Sequence, residues 1–499
     1  MSNFFSFKLY KEGLAQLRFL GFLTSGIALV FAALVPIMAF LQDFHFARAV
    51  DADEVLLILT VLLPYIWVAP FILTFSLFGF LNSRKKSDFY HALSVKRTAL
   101  FASFSTAVAT WLIATALLII AVGTALFLAL NSPLASGSTP VDVLLISLTL
   151  FASSALALLF ATSVAAFAAS MSGTRFTSLT VAVLVLALPP LLKSIFAAGV
   201  ANNVPSLSSG DVFVLGQNLF YFMPFEDAFT VTNILYTLAY AVVLMVAAGI
   251  FFARRKSEAA GDSAISPWLQ WVFRIAVGFL PLVIAYNAFF GFDAIVWIVV
   301  TITVALVLMC VFELISTNKW KNLLYVMPAF AISIVAMLAF VTLIWAVATI
   351  EADFSPQTEE ISSVQILDSD YNYVFWSSAV EMSAISALEQ RETQIQDPRV
   401  IALAVNQLEE IATTPRWGHP GEEPDWWTIY VYVQINMENG RTENRIIPVG
   451  TVRDEWIENP EPFDEEDDDM GAFFHDEWRQ VPTFNDFGTA LAEYARTGQ

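Results

Sequence analysis

Nine stretches of the chain are apolar for long enough to cross a bilayer, which takes about 20 residues. They fall roughly at 17–41, 55–81, 99–130, 142–170, 178–198, 228–252, 270–290, 293–314 and 323–349. The longer ones must tilt or include interfacial turns. Past residue 350 the pattern changes at once. There 397–412 repeats apolar residues with helical spacing, placing Val400, Leu403, Ala404 and Leu408 on one face, and 426–449 alternates as two strands around Asn439-Gly440. The pattern predicts a polytopic α-helical membrane protein of about nine transmembrane helices, followed by a small α+β domain. The segments divide as 1–256 with six spans, 257–350 with three more, and 351–499 as the α+β part.

Finer features sit on this frame. Residues 3–16 mix aromatics with Lys8 and Lys11, which suits either an amphipathic helix on the membrane surface or the plain flank of the first span. Ala157, Ala161, Ala165 and Ala169 recur every four residues in the fourth span, giving a smooth face for close helix packing. Pro189-Pro190 should kink the fifth span. Lys193 follows, and it either snorkels to the interface or lines a substrate path. Residues 199–227 are too polar to cross and read as short external helices dipping into the interface.

Composition agrees with the membrane class: 57% hydrophobic, 14% charged and a mean hydropathy of +0.66. Charge then sets the orientation, because Lys and Arg near span ends stay in the cytoplasm. With the N-terminus inside, the inner segments hold fifteen basic residues, whereas the outer loops hold Arg48 and Lys193. Nine crossings leave the α+β domain outside. The net charge of −20 is an average over unlike parts. Residues 351–499 carry 8 Arg and no Lys against 31 acids, a net of −23, and the preceding 350 residues come to +3. A solvated face explains that acidity, as does attraction of a cationic ligand. Cys310 is the one cysteine, so no intrachain disulfide forms and the external domain must fold on its core alone. The first apolar run is longer than a signal h-region and is expected to stay as a helix.

Motifs for chemistry are mostly missing. No Gly-Lys dipeptide occurs, so the phosphate-cradling P-loop is absent. His45, His91, His419 and His475 are scattered without zinc-binding spacing, and no Gly-x-Ser-x-Gly elbow occurs. The run EEDDDMGAFFHDE, 465–477, places Gly471 and Glu477 as a calcium loop would, but Met470 falls on a ligand position; a solvated charge run is the plainer reading. Ionisable residues within the spans (Lys193, Arg274, Glu313) fall near helix ends, which argues against an ion-coupled carrier.

The loop between the second and third spans, NSRKKSDFYHALSVKRTALF, carries Arg84, Lys85, Lys86, Lys96 and Arg97 around Phe89-Tyr90-His91. Retention inside needs only the charges. Aromatics flanked by basic residues make a docking surface, where the rings anchor and the charges steer.

This stretch resembles the corresponding loop of ABC-2-type permeases of the Gram-positive bacterial kind, with the pattern S-x-F-Y-H-S-L-P-[VI]-K-R. Ser87, Phe89, Tyr90, His91, Leu93, Val95, Lys96 and Arg97 match, while Ala92 and Ser94 depart from the usual Ser and Pro. Six spans to about residue 253 are similar to the ABC-2 core, and the helix followed by a strand-NGR-strand hairpin resembles the domain of unknown function that ends a subgroup of these permeases. The resemblance implies a coupling loop, 82–98, that docks on a separate ATPase subunit through Phe89, Tyr90, His91, Lys96 and Arg97, with Arg84 and Asp88 flanking. His91 either touches the ATPase or packs locally. It further implies a second permease chain, a bacterial plasma-membrane location, and ATP with Mg on the partner rather than here. No catalytic residue, metal or nucleic-acid partner is expected. An exporter or defence-type system driven by the ATPase is the leading expectation, and a membrane-anchored sensor or scaffold with a ligand-binding external domain is the alternative.

Overall fold

The computed structural model describes residues 4–46, 52–92, 95–130, 139–204, 206–207, 231–256, 258, 260–288, 294–352, 354, 356–369, 385, 387–388, 391, 393–413, 426–456 and 478–497. Two compact units form: 1–193 with 216–338, and 194–215 with 339–499.

Among the described residues nine helices are long and apolar enough to cross a membrane. These elements, compatible with a multi-pass membrane protein, are α1 (Phe7–Phe46), α2 (Leu59–Leu77, extended by 3-10 turns at both ends), α4 (Arg97–Leu130), α5 (Pro140–Met171), α6 (Arg175–Asn203), α7 (Val231–Arg254), α8 (Pro267–Ala288), α9 (Ala294–Thr317) and α10 (Val326–Ala352). A short helix, α3 (Arg84–His91), separates α2 from α4. Each predicted span coincides with one of them. The N-terminal aromatics do not make a helix of their own: α1 is continuous from Phe7, so Phe7 and Lys11 are the flank of the first span. α6 stays helical through Pro189-Pro190 to Asn203. The external helices expected in 199–227 fall mostly outside the described residues.

Small side chains and hydroxyls set the helix packing, as they must where lipid is as apolar as the core. α1 and α4 run in the same direction side by side: Ser6 N donates to Ser103 Oγ (2.9 Å), Tyr10 Oη to Thr110 Oγ1 (3.2 Å), and the Ser25 and Thr115 hydroxyls bond at 2.6 Å. Gly21 allows this approach. A Cβ there would meet the Trp111 ring at 2.9 Å, so Gly21→Val should overpack the pair and cost about 1–3 kcal/mol in a denaturant titration. The alanine stripe of α5 is buried as expected, from Ala157 to Ala169.

Among the described residues of the second unit five strands form an antiparallel sheet of order β2-β1-β3-β4-β5: β1 (Ile361–Ser369), β2 (Gln394–Ile395), β3 (Trp426–Met437), β4 (Thr442–Trp456) and β5 (Trp478–Phe484). The hairpin β3–β4 is the predicted one, with a different turn. Its loop is Glu438, Asn439 and Gly440, closed by Met437 N to Arg441 O (2.8 Å), and Gly440 alone takes positive φ, +81°. That is a three-residue loop with a left-handed glycine rather than a two-residue turn. Val431, Val433, Ile435 and Ile447 bury one face of the sheet against α11 (Pro398–Thr413) and α12 (Asp486–Thr497) through Val400, Leu408, Phe487 and Leu491.

Candidate functional site

α3 has two faces, set by its three-residue spacing. Arg84, Ser87 and Tyr90 hold it to the helical unit. Arg84 Nε donates to Ala260 O (3.3 Å), and Ser87 is fully enclosed. The Tyr90 ring lies 4.3 Å from that of Phe80 and 6.0 Å from that of Phe104, and its hydroxyl accepts from Gln16 Nε2 at 3.0 Å. Lys85, Lys86, Asp88 and Phe89 are exposed, with Phe89 at 65%, and Arg84 is exposed too, anchored through its Nε.

The seven loop residues expected to share one role therefore occupy different positions. Phe89 and Asp88 are exposed on α3, and Lys96 is exposed before α4. Arg84 and Tyr90 are supports. Arg97 is turned inward, because Nη1 donates to Ala253 O (3.2 Å) and Arg255 O (2.6 Å) at the end of α7. His91 ends α3, and its side chain lies outside the described residues. Lys193 is half-buried in α6, away in sequence from this loop.

Residues that the sequence left unassigned complete the platform. Arg255 is 1% exposed, and its guanidinium donates to Ala169 O (2.9 Å), Ser170 O (3.4 Å), Ser172 O (2.5 Å) and Leu81 O (2.8 Å). No carboxylate among the described residues is ion-paired with it. Converging carbonyls at helix ends carry partial negative charge and compensate it. Burial pushes the guanidinium down to about 10, which leaves it charged at neutral pH.

The Ser87 hydroxyl and Arg255 Nε, by contrast, have no hydrogen-bond partner among the described residues. A buried hydroxyl without a partner is a cost. Ser87→Ala should leave stability unchanged or raise it by up to about 1 kcal/mol in thermal unfolding, separating this motif position from the exposed ones.

A second polar cluster lies between α8 and α9. Arg274 and Glu313 form a two-pronged ion pair with both bonds at 2.7 Å, Gln270 Nε2 adds a third bond to Glu313 at 3.1 Å, and the rings of Trp271 and Tyr325 flank the guanidinium. Arg274 Nε and Nη2 and both Glu313 oxygens are paired within it, and Gln270 Oε1 is left without a partner among the described residues. The cluster is a structural bond. Among the described residues no group of three or more His, Cys, Asp or Glu is placed to hold a metal. The acidic run 465–477 lies outside them.

Comparison with models of protein families, with curated proteins and with solved structures returns no match.

Proposed function

We propose that the chain is the permease subunit of an ATP-binding cassette transporter, an exporter or defence-type system driven by a separate ATPase that docks on α3. The observation that carries this reading is an exposed aromatic, Phe89, between Lys85 and Lys86 on one side and Lys96 on the other, on a short helix held by its opposite face. Buried aromatics anchor interfaces, and rim charges steer partners to them. In this reading nine crossings put α3 in the cytoplasm of a bacterial cell and the sheet domain outside, two permease chains enclose the substrate path, and the partner binds ATP and Mg.

The test is capture of the ATPase encoded beside the gene, co-expressed with the tagged chain in detergent. Wild type should retain it. Phe89→Ala with Lys85→Glu and Lys86→Glu should weaken capture by about 30-fold or more, the scale of an interface hot spot. No capture by wild type would remove the reading.

The sensor alternative has one observation in its favour. Arg445 on β4 of the sheet domain is ion-paired with Glu351 in the last turn of α10 (3.0 Å), so a change in the domain has a direct contact with the end of a span. A chain of this kind would fold, respond to an external ligand, and capture no ATPase.

A further inference from the structure

Besides the Tyr90 contacts with Phe104 of α4 and Gln16 of α1, two hydrogen-bonded routes join α3 to the helical unit and end at the same place. Leu81, three residues before α3, accepts from Arg255 Nη2 (2.8 Å), while Arg255 Nη1 donates to Ala169 O (2.9 Å) and Ser172 O (2.5 Å) at the end of α5. The second route starts at Arg84, on α3 itself, whose Nε donates to Ala260 O (3.3 Å). The next residue, Gly261, donates from N to Gly173 O (2.9 Å), and Ile265 N donates to Met171 O (3.1 Å). Residues 169–173 thus receive both. The two hydrogen-bonded routes meet at the end of α5, whereas α4 meets α3 through the Tyr90–Phe104 ring contact.

We infer that Arg255 is the positioning residue through which a displacement of α3 reaches α5, and that α5 is the span that moves with the loop. That role in transmission rests on the reading just proposed; the two-route latch does not. Arg255 suits the task because its charge is buried with carbonyl partners alone, so separating Leu81 from the end of α5 would strip acceptors from an enclosed cation. The contact is therefore stiff. Arg97 extends the same body to α7 by holding Ala253 O and Arg255 O. The alanine face of α5, buried from Ala157 to Ala169, gives a smooth surface on which a helix can shift without unlocking side chains.

Hydrogen–deuterium exchange on the full chain tests this in two arms. In the chain alone, Arg255→Lys keeps the charge but cannot reach both carbonyl sets. It should raise exchange at 82–92 and at 166–173 together while leaving 267–288 unchanged; no rise at 82–92 overturns the latch. In the complex with the ATPase, trapping with Mg·ATP and vanadate should alter exchange at both 82–92 and 166–173 in wild type. With Arg255→Lys, capture and the change at 82–92 should persist and the change at 166–173 should be lost. A change at 166–173 that survives overturns the transmission role while the transporter reading stands. Failure of wild type to capture the ATPase overturns that reading and the transmission role with it, leaving the chain-alone arm to decide the latch. Should Arg255→Lys fail to fold, Arg84→Ala cuts the second route and must reduce the change at 166–173.

Discussion

Arg274→Ala should destabilise the helical unit by about 3–5 kcal/mol, whereas the double replacement Arg274→Met with Glu313→Leu should fall within about 1 kcal/mol of wild type or above it. The difference follows from what each leaves behind. Glu313 is fully enclosed, with its two oxygens taken by Arg274 Nε and Nη2. Without the guanidinium, its charge keeps only Gln270 Nε2 at 3.1 Å. Removing both charges also removes both desolvation penalties, and two side chains of similar volume fill the space. Arg274→Lys should fall between, since an ammonium makes one strong bond where the guanidinium makes two and cannot stack between Trp271 and Tyr325 in the same way. Denaturant titration in micelles reads all three. A single variant as stable as wild type would mean that the carboxylate finds water, and the pair would then be no bond at all.

That cluster also marks what sequence pattern does not carry. Arg274 and Glu313 were visible as ionisable residues near span ends, but their 39-residue separation gives no signal of contact; only the packing of α8 on α9 does. The spans themselves were legible because 20 apolar residues have few other folds open to them. The same holds for α11, whose apolar face repeats cleanly, and for the β3–β4 hairpin, where Gly440 marks the turn. β1, β2, β5 and α12 went unread. β1, ISSVQILDS, alternates imperfectly, and its pairing with β3 is broken by register shifts near Ser363 and Asp368. α12 did have a signal, Asn485 before an amphipathic run: Asn485 Oδ1 accepts from Gly488 N at 2.8 Å as a helix cap.

The loop shows the same division within one motif. Charge and aromatic content pointed to residues 82–98 as a unit, yet sequence alone cannot separate the exposed Phe89 from the inward Tyr90 beside it. Consecutive positions on a helix differ by about 100° of rotation, so they face apart. Arg255, outside the motif and read only as one more retained base, proves to be the best-bonded cation of the platform. Its spacing from Leu81 and Ala169 carries no pattern, because backbone carbonyls have no side-chain identity to read.

Arg445→Met should cost the sheet domain about 1–2 kcal/mol, and Glu351→Gln about 0.5 kcal/mol or less, although the two residues share one ion pair. Arg445 is 1% exposed, with Glu351 at 3.0 Å, Glu443 at 3.4 Å and the Phe354 ring at 4.4 Å. Methionine preserves the apolar stem over Phe354 but takes the shared cation from both carboxylates, leaving Glu443, which is itself largely covered, with Arg441 (2.5 Å) and Glu351 with no ion pair among the described residues. Losing Glu351 instead leaves Arg445 paired with Glu443. It also removes a carboxylate from the last turn of α10, where the helix dipole disfavours negative charge. The neighbouring backbone adds a second tie: Ile446 N donates to Ser206 O (2.7 Å) on the part of β4 that β5, which pairs only from Gly450 onward, does not cover. Arg445→Met should therefore loosen a domain still held at Ser206, seen as faster proteolysis within 426–456 with the helical unit unchanged. Equal losses for the two variants would make Glu351 the sole effective partner. A domain indifferent to both would be a tethered module, and the sensor reading would lose the contact on which it depends.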